Sequence, residues 1–198
     1  MSLSGMPDPL RSHGAWITLC ISIAVGALVP ERGLVELGLL VGTVFAGGFL
    51  VLSALAVGLR RTSRRAWLGL ALAGASFVGA LALGARPTFL VPLAAAVLCG
   101  SLGVELARSR GILDTPTLCV SLAPFTLAAP GVALATGGGI VQSLELFLAL
   151  WSFACWRSIR VARSLRGAVT WDRTELRARG LREAAWSALW GIAIVAFA

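Results

Sequence analysis

The chain has 198 residues, 58% hydrophobic and only 13% charged, where a soluble domain usually carries roughly a quarter charged residues. Mean hydropathy is +0.88, and the charge deficit falls in long apolar runs, which excludes an ordinary soluble domain and points to membrane helices. The net charge of +8 raises nucleic acid as a partner, but the arginines sit beside apolar segments, where anionic lipid headgroups attract them, so no nucleic acid is expected.

The pattern predicts an all-α polytopic transmembrane bundle of about seven helices, a single domain over 1–198, with apolar segments at about 15–29, 34–58, 67–84, 88–106, 116–136, 140–156 and 183–198. A span needs about 20 apolar residues, usually 17–25, so the first and last are short. Arg11 ahead of the first segment resembles a signal peptide, but no small-x-small cleavage site follows before Pro30 and Glu31, and it reads as a retained helix. The second segment offers Gly38, Gly42 and Ala46 at four-residue spacing, and the third Gly69, Ala73 and Gly74, the small residues that let membrane helices pack closely. Pro124 and Pro130 are expected to kink the fifth. Pro30–Gly33, Ala85–Pro87 and Gly137–Gly139 read as turns. The long connection 157–182 is expected as a basic loop. In it the arginine row continues the sixth helix out of the membrane, and a short amphipathic helix over 172–181 starts near Thr170 or Asp172. The last segment runs to the C-terminus, so longer relatives are expected.

Charge tests this count. With seven spans, fifteen of the seventeen arginines fall on the side of the N-terminus, and only Arg32 and Arg86 on the other. The positive-inside rule then puts the N-terminus in the cytoplasm and the C-terminus outside. Trp16, Trp67 and Trp156 are expected at the cytoplasmic interface, where an amphipathic ring is favoured. Every basic residue is arginine, with neither lysine nor tyrosine in the chain, and the Ala, Gly and Leu content points to a GC-rich bacterium. The expected location is therefore a bacterial cytoplasmic membrane.

Few residues carry chemistry. Cys20, Cys99, Cys119 and Cys155 lie in apolar segments, form no CxxC pair and face a single histidine, so neither zinc nor iron–sulfur ligation is expected, nor any other cofactor. Asp8, Asp114 and Asp172 are too far apart for the paired Asp-rich motifs of magnesium-dependent prenyl transfer. No phosphate-binding glycine loop or Ser/His/Asp order appears. Intramembrane ionisable groups are costly and so are candidates. Glu145 has Gln142 one turn before it and Ser152 two turns after, a stripe that lines a cavity or else reaches the outer interface. Glu105 and Arg108 read as a surface ion pair, and Glu36 as solvated. The row Arg157–Arg166 sets topology and contacts lipid, or recognises a phosphorylated group.

Arg11-Ser12-His13-Gly14-Ala15-Trp16 before an apolar helix resembles the start of the YwiC-like family of bacterial membrane proteins, and Trp151-Ser152-Phe153 leading to Ser158-Ile159-Arg160-Val161-Ala162-Arg163 is similar to that family's aromatic helix ending in arginines. The resemblance implies a multi-pass bundle, carries no established activity, and singles out His13, Gly14, Trp16, Arg160 and Arg163, with His13 and the arginines at a common cytoplasmic pocket. The candidate substrate- or lipid-binding residues are thus His13, Trp16, Gln142, Glu145, Arg160 and Arg163. The leading expectation is a non-enzymatic, permease-like or lipid-binding bundle whose partners are anionic headgroups and other membrane subunits. The alternatives are an enzyme acting on a lipid or isoprenoid headgroup and a scaffold for a membrane complex.

Overall fold

The computed structural model describes residues 13–29, 35–57, 59–111, 113–166 and 173–197. Among these residues the secondary structure is helical, joined by short turns, and contains no strand. The helices are α1 (His13–Leu28), α2 (Val35–Val57), α3 (Leu59–Ala82), α4 (Leu90–Arg110), α5 (Thr115–Thr126), α6 (Ala128–Ala135), α7 (Ile140–Arg166) and α8 (Arg173–Phe197), with a 3-10 turn at Pro87–Phe89. Three stretches are long and apolar enough to cross a membrane: Val35–Ala54, Pro87–Arg110 and Thr115–Ala135. Large side chains such as Leu68, Val91, Leu98, Leu102, Leu144, Leu189 and Ile192 coat the outside of the bundle. An apolar surface this continuous is unfavourable in water. Both features support a membrane protein.

The centre of the bundle is α6, whose eight residues, Ala-Ala-Pro-Gly-Val-Ala-Leu-Ala, are all buried. Its composition explains its place, since α1, α2, α4 and α7 all pack against it and only small side chains leave room for so many neighbours. A Cβ on Gly26 of α1 would clash with the Ala129 carbonyl oxygen, and one on Gly131 would lie 2.5 Å from the Phe45 ring. Trp16, Phe49 and Phe125 form an edge-to-face chain beside it, with centroid separations of 5.1 and 4.9 Å.

Pro124 and Pro130 have no N–H to give the turn before them, which interrupts the hydrogen-bond ladder between α5 and α6. The backbone stays helical at Leu127 (φ −66°, ψ −14°), which still donates to Ala123 at 2.9 Å, while Thr126 turns its hydroxyl back to the Ala123 carbonyl at 3.1 Å. The small-residue seams occur largely as expected. Gly38 meets Ala27 and Gly42 meets Ile23, which sets α1 and α2 antiparallel. Gly69 and Ala73 meet Gly47, so α2 and α3 touch through backbone; Gly74 has nothing within 4 Å of a built Cβ.

Two expectations are corrected. The arginines Arg60, Arg61, Arg64 and Arg65 are not in a loop: α2 ends at Val57 and α3 starts at Leu59. In the connection 157–182 the arginine row continues α7 to Arg166 as expected, but the short helix expected over 172–181 and the last span are one continuous α8. Nothing in 173–182 breaks a helix, because Gly180 alone costs only about 1 kcal/mol. The turn Pro30–Gly33, Asp8, Arg11, Thr170 and Asp172 lie outside the described residues.

At the end opposite the arginine row, Gly84 (φ +84°) and Gly137 (φ +103°) close α3 and α6. Each is followed by the paired backbone bonds of a Schellman cap, Ala85 N–H to Ala80 at 2.9 Å and Gly138 N–H to Ala133 at 2.7 Å. Arg86 joins the two turns, donating from its backbone to Ala135 at 3.2 Å and from its guanidinium to Gly137 at 3.4 Å.

Candidate functional site

Helix α7 has an apolar inner face of Ser143, Leu146, Leu150 and Ala154, all buried. Continuing that face by three residues brings Arg157 into the bundle, 7% exposed, between α1 and α8. A buried guanidinium needs partners for its N–H groups, and three oxygens supply them. It donates to Thr18 Oγ1 at 3.1 Å, to the Glu183 carbonyl at 3.4 Å, and to Ser187 Oγ. Ser187 in turn donates to the Glu183 carbonyl at 2.8 Å. These three partners are neutral. The carboxylate of Glu183 pairs instead with Arg160, Nη2 to Oε1 at 2.6 Å, while its Oε2 is buried with no partner.

Arg160 lies at the edge of this cluster, its side chain 47% exposed, with the guanidinium carbon 4.8 Å from the Trp156 ring centroid. Below it Phe153 stacks on Trp190 at 5.2 Å, and the Trp190 indole donates to the Ala149 carbonyl at 3.2 Å. Those contacts lock α7 against α8 in antiparallel register. A cavity of about 20 Å³ opens beside Arg157, lined by Thr18, Ser22, Phe153, Ser187 and Trp190 among others.

The outward face of the same helix is different. Leu148, Ser152, Trp156, Arg160 and Arg163 are all exposed and recur at helical spacing. From the middle of α7 to its end this stripe passes from aliphatic to aromatic to cationic, the order in which a lipid presents tail, interface and headgroup.

The residues singled out from sequence are dispersed. His13 opens α1, and its side chain lies outside the described residues. Trp16, expected in the interface, is half-buried against Phe49, because a ring on that face of α1 meets α2 before it meets lipid. Gln142 is half-buried and Glu145 exposed near the Gly137–Gly139 turn, about 22 Å along the helix axis from Arg160 at 1.5 Å per residue. Glu105 and Arg108 do pair, at 3.5 Å on the surface, and Glu36 is exposed. Thr18, Ser22, Glu183 and Ser187 were not singled out. Their signal was two polar pairs at i,i+4 in the apolar helices that flank the arginine row.

Among the described residues no group of three or more His, Cys, Asp or Glu side chains is placed to hold a metal ion. Comparison with protein-family models, with curated proteins and with solved structures finds no match to this chain.

Proposed function

We propose that this chain is a multi-pass lipid-binding bundle of a bacterial cytoplasmic membrane. Its arginine-rich end lies in the cytoplasm and holds an anionic phospholipid on the outward face of α7. The observation that carries the reading is the exposed stripe Trp156, Arg160, Arg163 at the end of an apolar helix face. A guanidinium supplies paired N–H donors that match phosphate oxygens, and the indole favours the level of the glycerol backbone. Charge distribution supports the orientation, since a seven-span reading of the sequence assigns fifteen of the seventeen arginines to one side. The resemblance to the YwiC-like family at His13-Gly14-Ala15-Trp16 belongs to the same proposal and rests on those residues and the Arg160–Arg163 stretch.

Each arginine near an anionic leaflet contributes about 1 kcal/mol, so removing two weakens binding roughly 30-fold. Native mass spectrometry of the protein with phosphatidylglycerol and phosphatidylcholine tests this. Wild type is expected to retain phosphatidylglycerol in preference, and the variant Arg160→Ala, Arg163→Ala to lose the preference while staying folded. Equal retention of both lipids by both proteins would refute the proposal.

A permease is the second reading, favoured by the two prolines that interrupt the hydrogen-bond ladder between α5 and α6 at the centre of the bundle. It predicts that Glu145→Gln abolishes flux of a cation or proton without loss of fold. An enzyme using His13 and Arg160 has less support, because the His13 side chain lies outside the described residues and no geometry joins it to Arg160.

A further inference from the structure

The inward side of the α7 terminus carries an unbalanced charge. Arg157 and Arg160 together face one carboxylate, Glu183, and that carboxylate is bound to Arg160. Arg157 is buried with neutral oxygens as its hydrogen-bond partners, and these take three of the five N–H groups that a guanidinium carries. One turn deeper on α1, Ser22 is fully buried, and its hydroxyl has no hydrogen-bond partner. A buried hydroxyl left unpaired costs free energy, as does an uncompensated buried charge, and both groups line the same cavity.

We propose that the cavity between α1, α7 and α8 binds one small monovalent anion of the halide class, held by the Arg157 guanidinium and the Ser22 hydroxyl. Size restricts the ligand: about 20 Å³ is room for one water-sized particle, too little for a phosphate, a carboxylate or a lipid headgroup. Charge restricts it further. Arg157 repels a cation, whereas an anion accepts from the guanidinium and from Ser22 and neutralises the excess positive charge. A water molecule would satisfy the hydroxyl and leave that charge in place. The site lies on the inner side of α7, with Arg160 at the boundary between it and the outward stripe, and does not depend on the lipid reading.

The test uses wild-type protein in nanodiscs of neutral phosphatidylcholine, so that no anionic lipid contributes. The unfolding midpoint is followed at constant ionic strength while gluconate is exchanged for chloride or bromide. Binding to the folded state alone predicts a saturable rise. Ser22→Ala, folded and with a similar midpoint in gluconate, is expected to need roughly tenfold more halide for half of that rise, because it lacks one hydrogen bond to a charged ligand. Crystals grown in bromide are expected to show anomalous density between Ser22 Oγ and Arg157. A midpoint indifferent to halide, an equal response from both proteins, or a water alone in the cavity would each overturn the proposal.

Discussion

Gly47 and Gly48 are neighbours on α2, yet an added methyl group should have opposite effects at the two. A Cβ on Gly47 would lie 2.6 Å from the Gly69 carbonyl oxygen and 2.9 Å from the Ala73 nitrogen and Cβ. One on Gly48 would meet nothing within 4 Å. The Gly47 contact is about 0.8 Å short of ordinary van der Waals contact, and its partner is backbone, which cannot rotate away. Helix α3 must retreat, and a gap of 0.5–1 Å forfeits a quarter to a half of each dispersion contact along the seam. Lipid tails supply no hydrophobic force to close it again. Overpacking of this kind costs about 1–3 kcal/mol, while replacing Gly by Ala within a helix gains about 1 kcal/mol. The gain is common to both positions, so it cancels in the comparison. Gly47→Ala should therefore be less stable than Gly48→Ala by about 1–3 kcal/mol in reversible unfolding by SDS in mixed micelles. Gly69→Ala should behave like Gly47→Ala, since its Cβ would lie 2.7 Å from the Gly47 oxygen, and Gly74→Ala like Gly48→Ala. If the two neighbouring variants agree within about 0.5 kcal/mol, the backbone-to-backbone seam is not present in the folded protein.

Other consequences follow from single contacts. Trp151 donates to the Cys119 carbonyl at 2.9 Å, linking α5 to α7; Trp151→Phe should lower stability by about 1 kcal/mol in the same titration, and no change would mean the bond is not kept. Glu183→Gln preserves volume and removes the carboxylate that Arg160 binds at 2.6 Å, so a loss of about 1–3 kcal/mol is expected. Arg160→Ala, at a side chain 47% exposed and screened by solvent, should cost less; an equal cost would argue that Arg157 does not need the carboxylate. On the proposed orientation, reporter fusions after Gly111 should be fluorescent as cytoplasmic GFP, and fusions after Gly138 active as exported alkaline phosphatase. The reverse pattern would invert the bundle.

Helix number and position were legible because long apolar runs have few alternatives. The expected span 34–58 is α2 (Val35–Val57), and 116–136 is the pair α5–α6 ending at Ala135. The prolines announced the interruption between α5 and α6, and the four-residue spacing of Gly38 and Gly42 announced the face turned to α1. The start of α3 was less legible than the end of α7: the arginines that continue α7 were read as helix, whereas those at the start of α3 were left between spans, because arginine has high helix propensity and hydropathy registers only its charge. The candidate cluster was not legible as a set. Thr18, Arg157, Glu183 and Ser187 come from three helices, and only the packing of α1 and α8 on α7 brings them together. Gly74 shows the same limit: it matches Gly69 in type and local pattern, yet it faces open space.

The two faces at the end of α7 follow from one number in the sequence. Arginines at 157, 160 and 163 are spaced by three, while the helix repeats every 3.6 residues, so each arginine is rotated by about 60° from the one before. A row with this spacing cannot stay on one face. It begins under the apolar inner stripe, with Arg157 7% exposed, reaches the edge at Arg160, and is on the surface at Arg163. A four-residue spacing would have drifted the other way and by less, about 40° per step. The row therefore supplies positive charge for topology along its whole length and also delivers one guanidinium into the bundle. Hydroxyls at Thr18 and Ser187 and the carbonyl of Glu183 are what that delivery requires, since a buried guanidinium left without oxygens would cost more than the helix contacts return. The polar residues of α1 and α8 are thus explained by the phase of an arginine row on a third helix.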